Sequence, residues 1–262
     1  MALFFGDDEE RFTPGVRKVG FPRYREVLEG NWKEFMLVGF LTLLYLIPFG
    51  AGMVYAILSS SLLVAVFAGV IGGLFSGPGI ACMYDLILRR LRNDQAHWSV
   101  CYKRSMKQNW KASLLPGVVQ CVFLSILIYS GALHYWGVRP MTLGTLFVFA
   151  VACVIFLMVL TLWWCQTVLF DQKTGMKLRN ALFFILFHFG RSLVCGLVQF
   201  AWWMVAFLFL PWTGLLVPFL SVWYILYLAV FLLYRYMDQD FEIEDRIRET
   251  FPGRLPKEEY RP

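Results

Sequence analysis

Charged side chains are missing from long stretches of this chain of 262 residues. None of its 24 lysines and arginines or 18 acidic residues lies within 35–84, 112–138, 140–170, 181–190 or 192–234. Charged residues make up 16% of the chain and hydrophobic residues 59%, whereas a soluble domain carries about 25% charged residues. The composition therefore predicts an integral membrane protein.

Several patterns that carry chemistry are also missing. The three histidines, His97, His134 and His188, are far apart and lack the His-Glu-x-x-His spacing of a zinc site. The chain has no Gly-x-x-x-x-Gly-Lys loop for ATP phosphates and no Gly-x-Ser-x-Gly element for a nucleophilic serine. Intramembrane enzymes and proton-coupled carriers use carboxylates or cationic groups inside their spans, and the uncharged runs have neither. We expect a protein that is not an enzyme and holds no metal or cofactor.

The uncharged runs predict an all-α membrane protein, because each of the four longer runs can supply one or two helices of about 20 residues. The six predicted spans are 34–56, 60–80, 112–133, 141–169, 191–210 and 214–235. The whole chain is read as one membrane domain, 1–262, whose tail of residues 236–262 is cytoplasmic.

The positions of the basic residues predict the orientation. Lysine and arginine stay on the cytoplasmic side, and every charged residue except Arg139 can be placed there. Both termini are then cytoplasmic, as in a multi-pass protein of the bacterial inner membrane. Residues 1–34 lack the apolar core of a cleavable signal peptide. The net charge of +6 then reflects contact with the bilayer rather than with nucleic acid.

An internal repeat divides the chain into three units, at about 20–80, 81–170 and 171–235. Residues 24–33 resemble 102–111, and residues 113–120 resemble 192–199. These matches place Gly39, Gly117 and Gly196 at equivalent positions. Each unit is predicted to contain a cytoplasmic amphipathic helix followed by a helical hairpin, and three such units would form a pseudo-threefold bundle.

Small residues four apart mark one face of the second span. They are Ser61, Ala65, Gly69, Gly73 and Gly77. Small side chains let another helix backbone approach closely in a membrane, which predicts helix packing inside the bundle. The alternative is a seam between two copies in a homo-oligomer. Gly77, Pro78 and Gly79, at the end of the stripe, are expected to break or redirect the helix.

Aromatic residues mark the expected membrane interfaces. These residues are Trp98, Tyr102, Trp110, Tyr135 and Trp136. The first three recur near helical spacing beside Lys103 and Lys107, which is typical of a helix lying in the interface. A helix packed under the bundle is an equal alternative. Tyr135 and Trp136 lie beside Arg139 in the predicted outer loop and are read as anchors there.

Uncharged polar residues are the remaining candidates for a binding site. The repeat places Thr42, Gln120 and Gln199 at equivalent depths, and Gln166 is a further candidate. Facing a common axis, these groups would hydrogen-bond a neutral polar solute such as a sugar. The alternative is that they bond across helices, each contributing ~0.6–2 kcal/mol.

One segment of the chain resembles a known family. Residues 77–92, followed by Trp98, Tyr102 and the Asn109-Trp110 pair, are similar to the YesL-like family of bacterial membrane proteins. The similarity runs from about residue 12 to 235, and this chain departs from it by additional apolar residues between Pro48 and Gly77. The family has no established activity. The resemblance implies an accessory component of carbohydrate ABC importers.

Three functions are compatible with these observations. The first is an accessory or regulatory partner of a transport system, tied to carbohydrate uptake and contacting ABC transporter subunits. The second is a membrane subunit that binds or translocates a small neutral solute. The third is a scaffold that interacts with the lipid bilayer. A bundle axis open around the two glutamines favours the second, and a dry, packed axis favours a regulator or scaffold.

Overall fold

The computed structural model describes residues 20–94, 96–135, 142–209, 212 and 222–250. Within these ranges the chain is helical and contains no β-strand. The helices are α1 (Phe21–Tyr45), α2 (Ile47–Leu58), α3 (Leu62–Leu91), α4 (Trp98–Tyr135), α5 (Leu143–Leu169), α6 (Thr174–Phe187), α7 (Phe189–Leu208), α8 (Val222–Phe241) and α9 (Ile243–Thr250).

Several of these helices are long and apolar enough to cross a membrane. Among the described residues, α3, α4, α5 and α7 meet this condition singly, and α1 and α2 meet it together as a pair bent by 44°. Many large apolar side chains are exposed on their outer surfaces, including Leu58, Phe147 and Leu208. A soluble monomer rarely exposes so much contiguous apolar surface. The chain therefore has the features of a multi-pass membrane protein.

The last predicted span, 214–235, corresponds only in part to a described helix. Helix α8 begins at Val222, and residues 214–221 lie outside the described ranges. Its 20 residues include Arg235, Asp238 and Asp240, so it does not reach the apolar content of the other long helices. The described helices therefore provide four or five candidate spans rather than six.

The bend between α1 and α2 has a local cause. Pro48 lies in the first turn of α2, where its missing N–H interrupts the helical hydrogen bonds arriving from α1. The chain reverses after α2 at Ser59–Ser61, where Ser60 has φ 50°. The Ser61 hydroxyl accepts a hydrogen bond from the Val64 amide at 3.4 Å and so begins α3.

Two predicted helix ends are wrong. Helix α3 continues through Pro78 to Leu91 without the break that we expected at 77–79. Neighbouring helices hold such a helix together although proline removes one of its hydrogen bonds. The predicted cytoplasmic helix around Trp98 does not end before the span at 112–133 either. Both belong to α4, an uninterrupted helix of 38 residues.

The long helices pack around a shared core. Helices α3, α5 and α8 contact one another, while α1 packs on α8, α4 on α3 and α7 on α5. The main apolar cluster lies among these helices and includes Tyr84, Trp164 and Tyr227. A second cluster forms where α2 covers α3 and α4, around Phe49 and Met53.

Candidate functional site

The glycines of α3 bring its backbone into direct contact with α4. A Cβ atom added at Gly73 would lie 2.4 Å from the Cα atom of Val118, and one at Gly77 would lie 2.6 Å from the Ser113 carbonyl oxygen. From the other side, a Cβ at Gly117 would lie 2.6 Å from the Gly73 carbonyl oxygen. Backbone atoms cannot move aside as a flexible side chain does, so these positions require glycine.

Helix α4 has a matching row of small residues that the sequence reasoning missed. The row consists of Cys101, Ser105, Asn109, Ser113, Gly117, Cys121 and Ser125, at intervals of four residues. Gly69 completes the contact, because its added Cβ would lie 2.9 Å from the Ser125 hydroxyl oxygen. Of the other stripe residues, Ala65 is buried in the second cluster and Ser61 caps α3. The glycine face of α3 is thus covered by α4 of the same chain.

The intramembrane glutamines form hydrogen bonds with α5. The Trp164 indole N–H donates to Gln120 Oε1 at 2.7 Å, and Gln199 Nε2 donates to the Thr161 hydroxyl at 3.0 Å. Tyr84 stacks on Trp164 with ring centroids 5.8 Å apart. Gln120 from α4 and Gln199 from α7 thus meet α5 at positions that are one helical turn apart.

The other two polar candidates lie apart from this pairing. The Thr42 hydroxyl is bonded to the carbonyl oxygens of Val38 at 2.8 Å and Gly79 at 3.2 Å, which places it between α1 and α3. The Gln166 side chain is fully buried, and neither its Nε2 nor its Oε1 has a hydrogen-bond partner among the described residues. Within the described residues, no hydrogen bond links Thr42 or Gln166 to the two paired glutamines.

The aromatic residues of α4 have two different environments. Trp98 and Tyr102 are partly buried against the main core, whereas Trp110 is 47% exposed. The Lys111 ammonium lies 5.6 Å from the Trp110 ring centroid, and Lys33 and Trp32 repeat this arrangement on α1 at 5.7 Å. Of the remaining interfacial candidates, the Tyr135 side chain and all of Trp136 lie outside the described residues.

A buried ionic network lies at the end of α3, and the sequence reasoning did not find it. Arg89 donates from Nε to Asp85 at 3.0 Å and from Nη1 to Asp94 at 2.9 Å. All three side chains are at least 92% buried. Arg90 joins the network by donating to the Asp94 carbonyl oxygen, and it also pairs with Glu34 of α1, with an Nε–Oε2 distance of 2.8 Å. The Asp85–Arg89 spacing of four residues on an otherwise apolar helix was the one available signal.

The turn after α3 brings Asp94 into this network. Asn93 has φ 65°, and the Asp94 amide donates to the Arg89 carbonyl at 3.0 Å, as in a Schellman helix end. Burial raises the pKa of the Asp94 carboxyl, but Arg89 and the Ala96 amide outweigh burial and hold that pKa below its usual range. Asp94 therefore contributes stability that is present above its unfolded pKa and is lost as the pH falls through the folded pKa.

The same end of the bundle is held by Arg23 and Lys177. Arg23 Nη2 donates to the Leu91 carbonyl at 3.0 Å and ties the start of α1 to the end of α3. Lys177 Nζ donates to the Thr167 carbonyl at 3.4 Å, near the end of α5, where a cation is favourable. Burial lowers the pKa of Lys177, and Asp171 partly offsets this.

No group of three or more His, Cys, Asp or Glu side chains within the described ranges has the geometry of a metal site. No family model, curated protein or solved structure matches the chain. The residues of the chain itself are therefore what indicates its chemistry. The polar contacts between helices within the described residues include the glutamine pairs on α5 and the ionic network at the end of α3.

The two buried glutamines on α5 and α7 give opposite predictions for the same substitution. Gln199→Leu should lower the free energy of unfolding by about 0.6–1.7 kcal/mol, because it removes a hydrogen bond between helices. Gln166→Leu should be neutral or stabilising, because it removes a buried amide without partners. Unfolding in mixed detergent micelles compares the two variants. If the two variants lost equal stability, the expected difference between the paired Gln199 and the unpaired Gln166 would be wrong.

Proposed function

We propose that this chain is a non-enzymatic protein of the bacterial inner membrane that acts as an accessory or regulatory partner of a transport system. The observation that carries the proposal is the pairing of Gln120 with Trp164 and of Gln199 with Thr161. Both carboxamides form hydrogen bonds to a neighbouring helix, and this favours a role in helix packing over a role in solute binding. The Gln199 side chain is buried, and so are its neighbours Thr161 and Cys195.

Six spans in three units form the architecture that we propose for this role. Gly39 of α1 packs on Trp223 of α8, with 3.0 Å from its added Cβ to the Trp223 ring. Gly117 of α4 packs on α3, and Gly196 of α7 packs on α5, 2.9 Å from the Val154 carbonyl oxygen. Each unit's first helix thus meets the second helix of the preceding unit around a closed ring. This cyclic pattern supports a pseudo-threefold repeat with α8 as the sixth span.

The charged residues support a cytoplasmic location for both termini. Arg23, Glu34, Arg89 and Asp94 meet at one end of the bundle, and basic residues favour the cytoplasmic side. The role in carbohydrate uptake, with ABC transporter subunits as partners, rests on the resemblance to the YesL-like family. Because the chain has no ATP-binding loop, energy for transport would come from those partners.

A subunit that binds or translocates a small neutral solute is the second candidate function. It is favoured by one observation, the fully buried Gln166 carboxamide without a hydrogen-bond partner among the described residues. An unsatisfied buried amide costs about 1–3 kcal/mol, and a bound sugar hydroxyl would remove that cost.

Three measurements separate these functions. Gentle purification from the native membrane, after cross-linking, should recover subunits of an importer together with the protein. Deleting the gene should lower uptake of the importer's carbohydrate. The purified protein alone in liposomes should not equilibrate a labelled neutral sugar. Equilibration that is lost in Gln166→Leu would replace the partner role with translocation.

A further inference from the structure

The cytoplasmic part of α4 carries a row of unbalanced positive charge. Lys103, Lys107 and Lys111 follow one another at intervals of four residues and are exposed. No ion pair engages any of the three ammonium groups within the described part of the chain. Residues 98–135 contain no aspartate or glutamate. Like charges four apart destabilise a helix, so an anionic partner would stabilise this lysine row.

The equivalent row on α1 carries charges of both signs, and two of them form an ion pair. The match of 24–33 with 102–111 places Arg25, Glu29 and Lys33 at the positions of the three lysines. Arg25 Nε lies 2.5 Å from Glu29 Oε1. In the third unit the corresponding face of α6 is apolar, with Leu182 and Leu186 exposed. The lysine row is therefore particular to α4 and is not a general property of the three cytoplasmic helices.

The direction of α4 argues against lipid as the occupant of the whole row. Helix α4 packs along α3 from Ser125 to Tyr102, whose carbonyl oxygen accepts a hydrogen bond from the Cys82 thiol at 3.6 Å. Its cytoplasmic part therefore stays against α3, as its span does, instead of turning away along the bilayer surface. From Lys111 to Lys103 the helix rises about 12 Å, whereas the headgroup layer on each side is only about 5–8 Å thick. We place the membrane boundary at the exposed Trp110 ring, and headgroups would then reach Lys111 but not Lys103.

We propose that the lysine row of α4 is the docking surface for an acidic helix of a cytoplasmic protein segment, with carboxylates spaced four residues apart. The three ammonium groups would pair with three carboxylates along about two turns of the facing helix. Val100, which is exposed, adds an apolar contact at the far end. Charge pairs of this kind set partner choice and association rate more than affinity. The inference rests on the proposed partner role and names the chemistry of the partner.

The test uses the full chain in nanodiscs of zwitterionic phosphatidylcholine. The probe is a fluorescent alanine-rich helical peptide with glutamates at i, i+4 and i+8, compared with a scrambled peptide of equal charge. The wild type should bind the patterned peptide at least tenfold more tightly than the scrambled one. Lys107→Glu should weaken binding at least tenfold without loss of thermal stability, because it recreates the Arg25–Glu29 arrangement.

Lys33→Glu is the matched control, with the same change of charge on the exposed surface of α1. Lys33→Glu should change the affinity less than twofold. If it weakened binding as much as Lys107→Glu does, net charge alone would explain the effect and the proposal would be overturned. Amine acylation in nanodiscs with phosphatidylglycerol tests lipid as the occupant. Lys111 should be protected while Lys103 stays reactive, and equal protection of all three lysines would also overturn the proposal. Uptake in the gene deletion reports on the proposed function independently of these outcomes.

Discussion

Gly73→Ala is expected to destabilise the folded protein by about 1–3 kcal/mol, the cost of overpacking a well-packed interior. At an unhindered helical position the same change stabilises by about 0.5–1 kcal/mol. The sign reverses here because the new methyl carbon would lie 2.4 Å from the Val118 Cα atom and 2.5 Å from the Gly117 carbonyl oxygen. Both neighbours are backbone, so α3 and α4 must separate to make room for the methyl group.

Gly131→Ala is the control for this prediction. Gly131 lies on α4, and nothing lies within 4 Å of the Cβ that alanine would add. Thermal or denaturant unfolding in the same detergent should show Gly131→Ala to be neutral or slightly stabilising and Gly73→Ala to be clearly destabilising. Equal stabilities of the two variants would contradict direct backbone contact between α3 and α4.

Arg89→Met is expected to cost about 3–5 kcal/mol of stability, because it leaves two buried carboxylates without their shared cation. Asp85 and Asp94 both bond to this guanidinium, at 3.0 and 2.9 Å, and neither is exposed to water. Methionine preserves much of the apolar packing of the arginine stem, so the loss reports on charge rather than on a cavity. The same unfolding experiment measures it.

Arg25→Met serves as the comparison, because Arg25 makes an ion pair of the same spacing with Glu29 on the exposed surface of α1. Exposed pairs contribute little because water and salt screen them, so we expect almost no change. Adding Asp85→Asn and Asp94→Asn to Arg89→Met should recover part of the lost stability. A loss from Arg89→Met no larger than that from Arg25→Met would argue against a buried network.

The sequence predicts the apolar helices well because their signal is local. Uncharged runs of sufficient length predict the long helices, and the spacing of Gly69, Gly73 and Gly77 predicts a face for close packing. The end of a helix depends on tertiary contacts instead. The segment around Pro78 was expected to break or redirect α3, but the contact with α4 on either side of it keeps the helix continuous. The continuity of α4 across the membrane boundary was missed for the same reason, because an amphipathic pattern does not show where a helix stops.

The polar contacts were predicted only in part. The Asp85–Arg89 pair lies within one helix turn and is readable from spacing. Asp94 joins it only because Asn93 reverses the chain after α3, and the Glu34–Arg90 pair requires the packing of α1 on α3. Gln120 and Gln199 were recognised as polar groups within the predicted spans. Their partners Trp164 and Thr161 lie on another helix, and nothing local in the sequence connects them.

The native cysteines provide the most direct test of a dry, self-paired interior. Cys195 lies 3.4 Å from Gln199 Nε2, and both Cys195 and Cys165 are fully buried. We predict that a small water-soluble thiol reagent leaves both unmodified in the folded protein in nanodiscs, while an introduced cysteine at the exposed Lys107→Cys position reacts completely. Mass spectrometry of the peptides reads out each site. Rapid modification of Cys195 in the folded protein, blocked by an added sugar, would contradict this interior and would point to a solute pathway along Gln120 and Gln199.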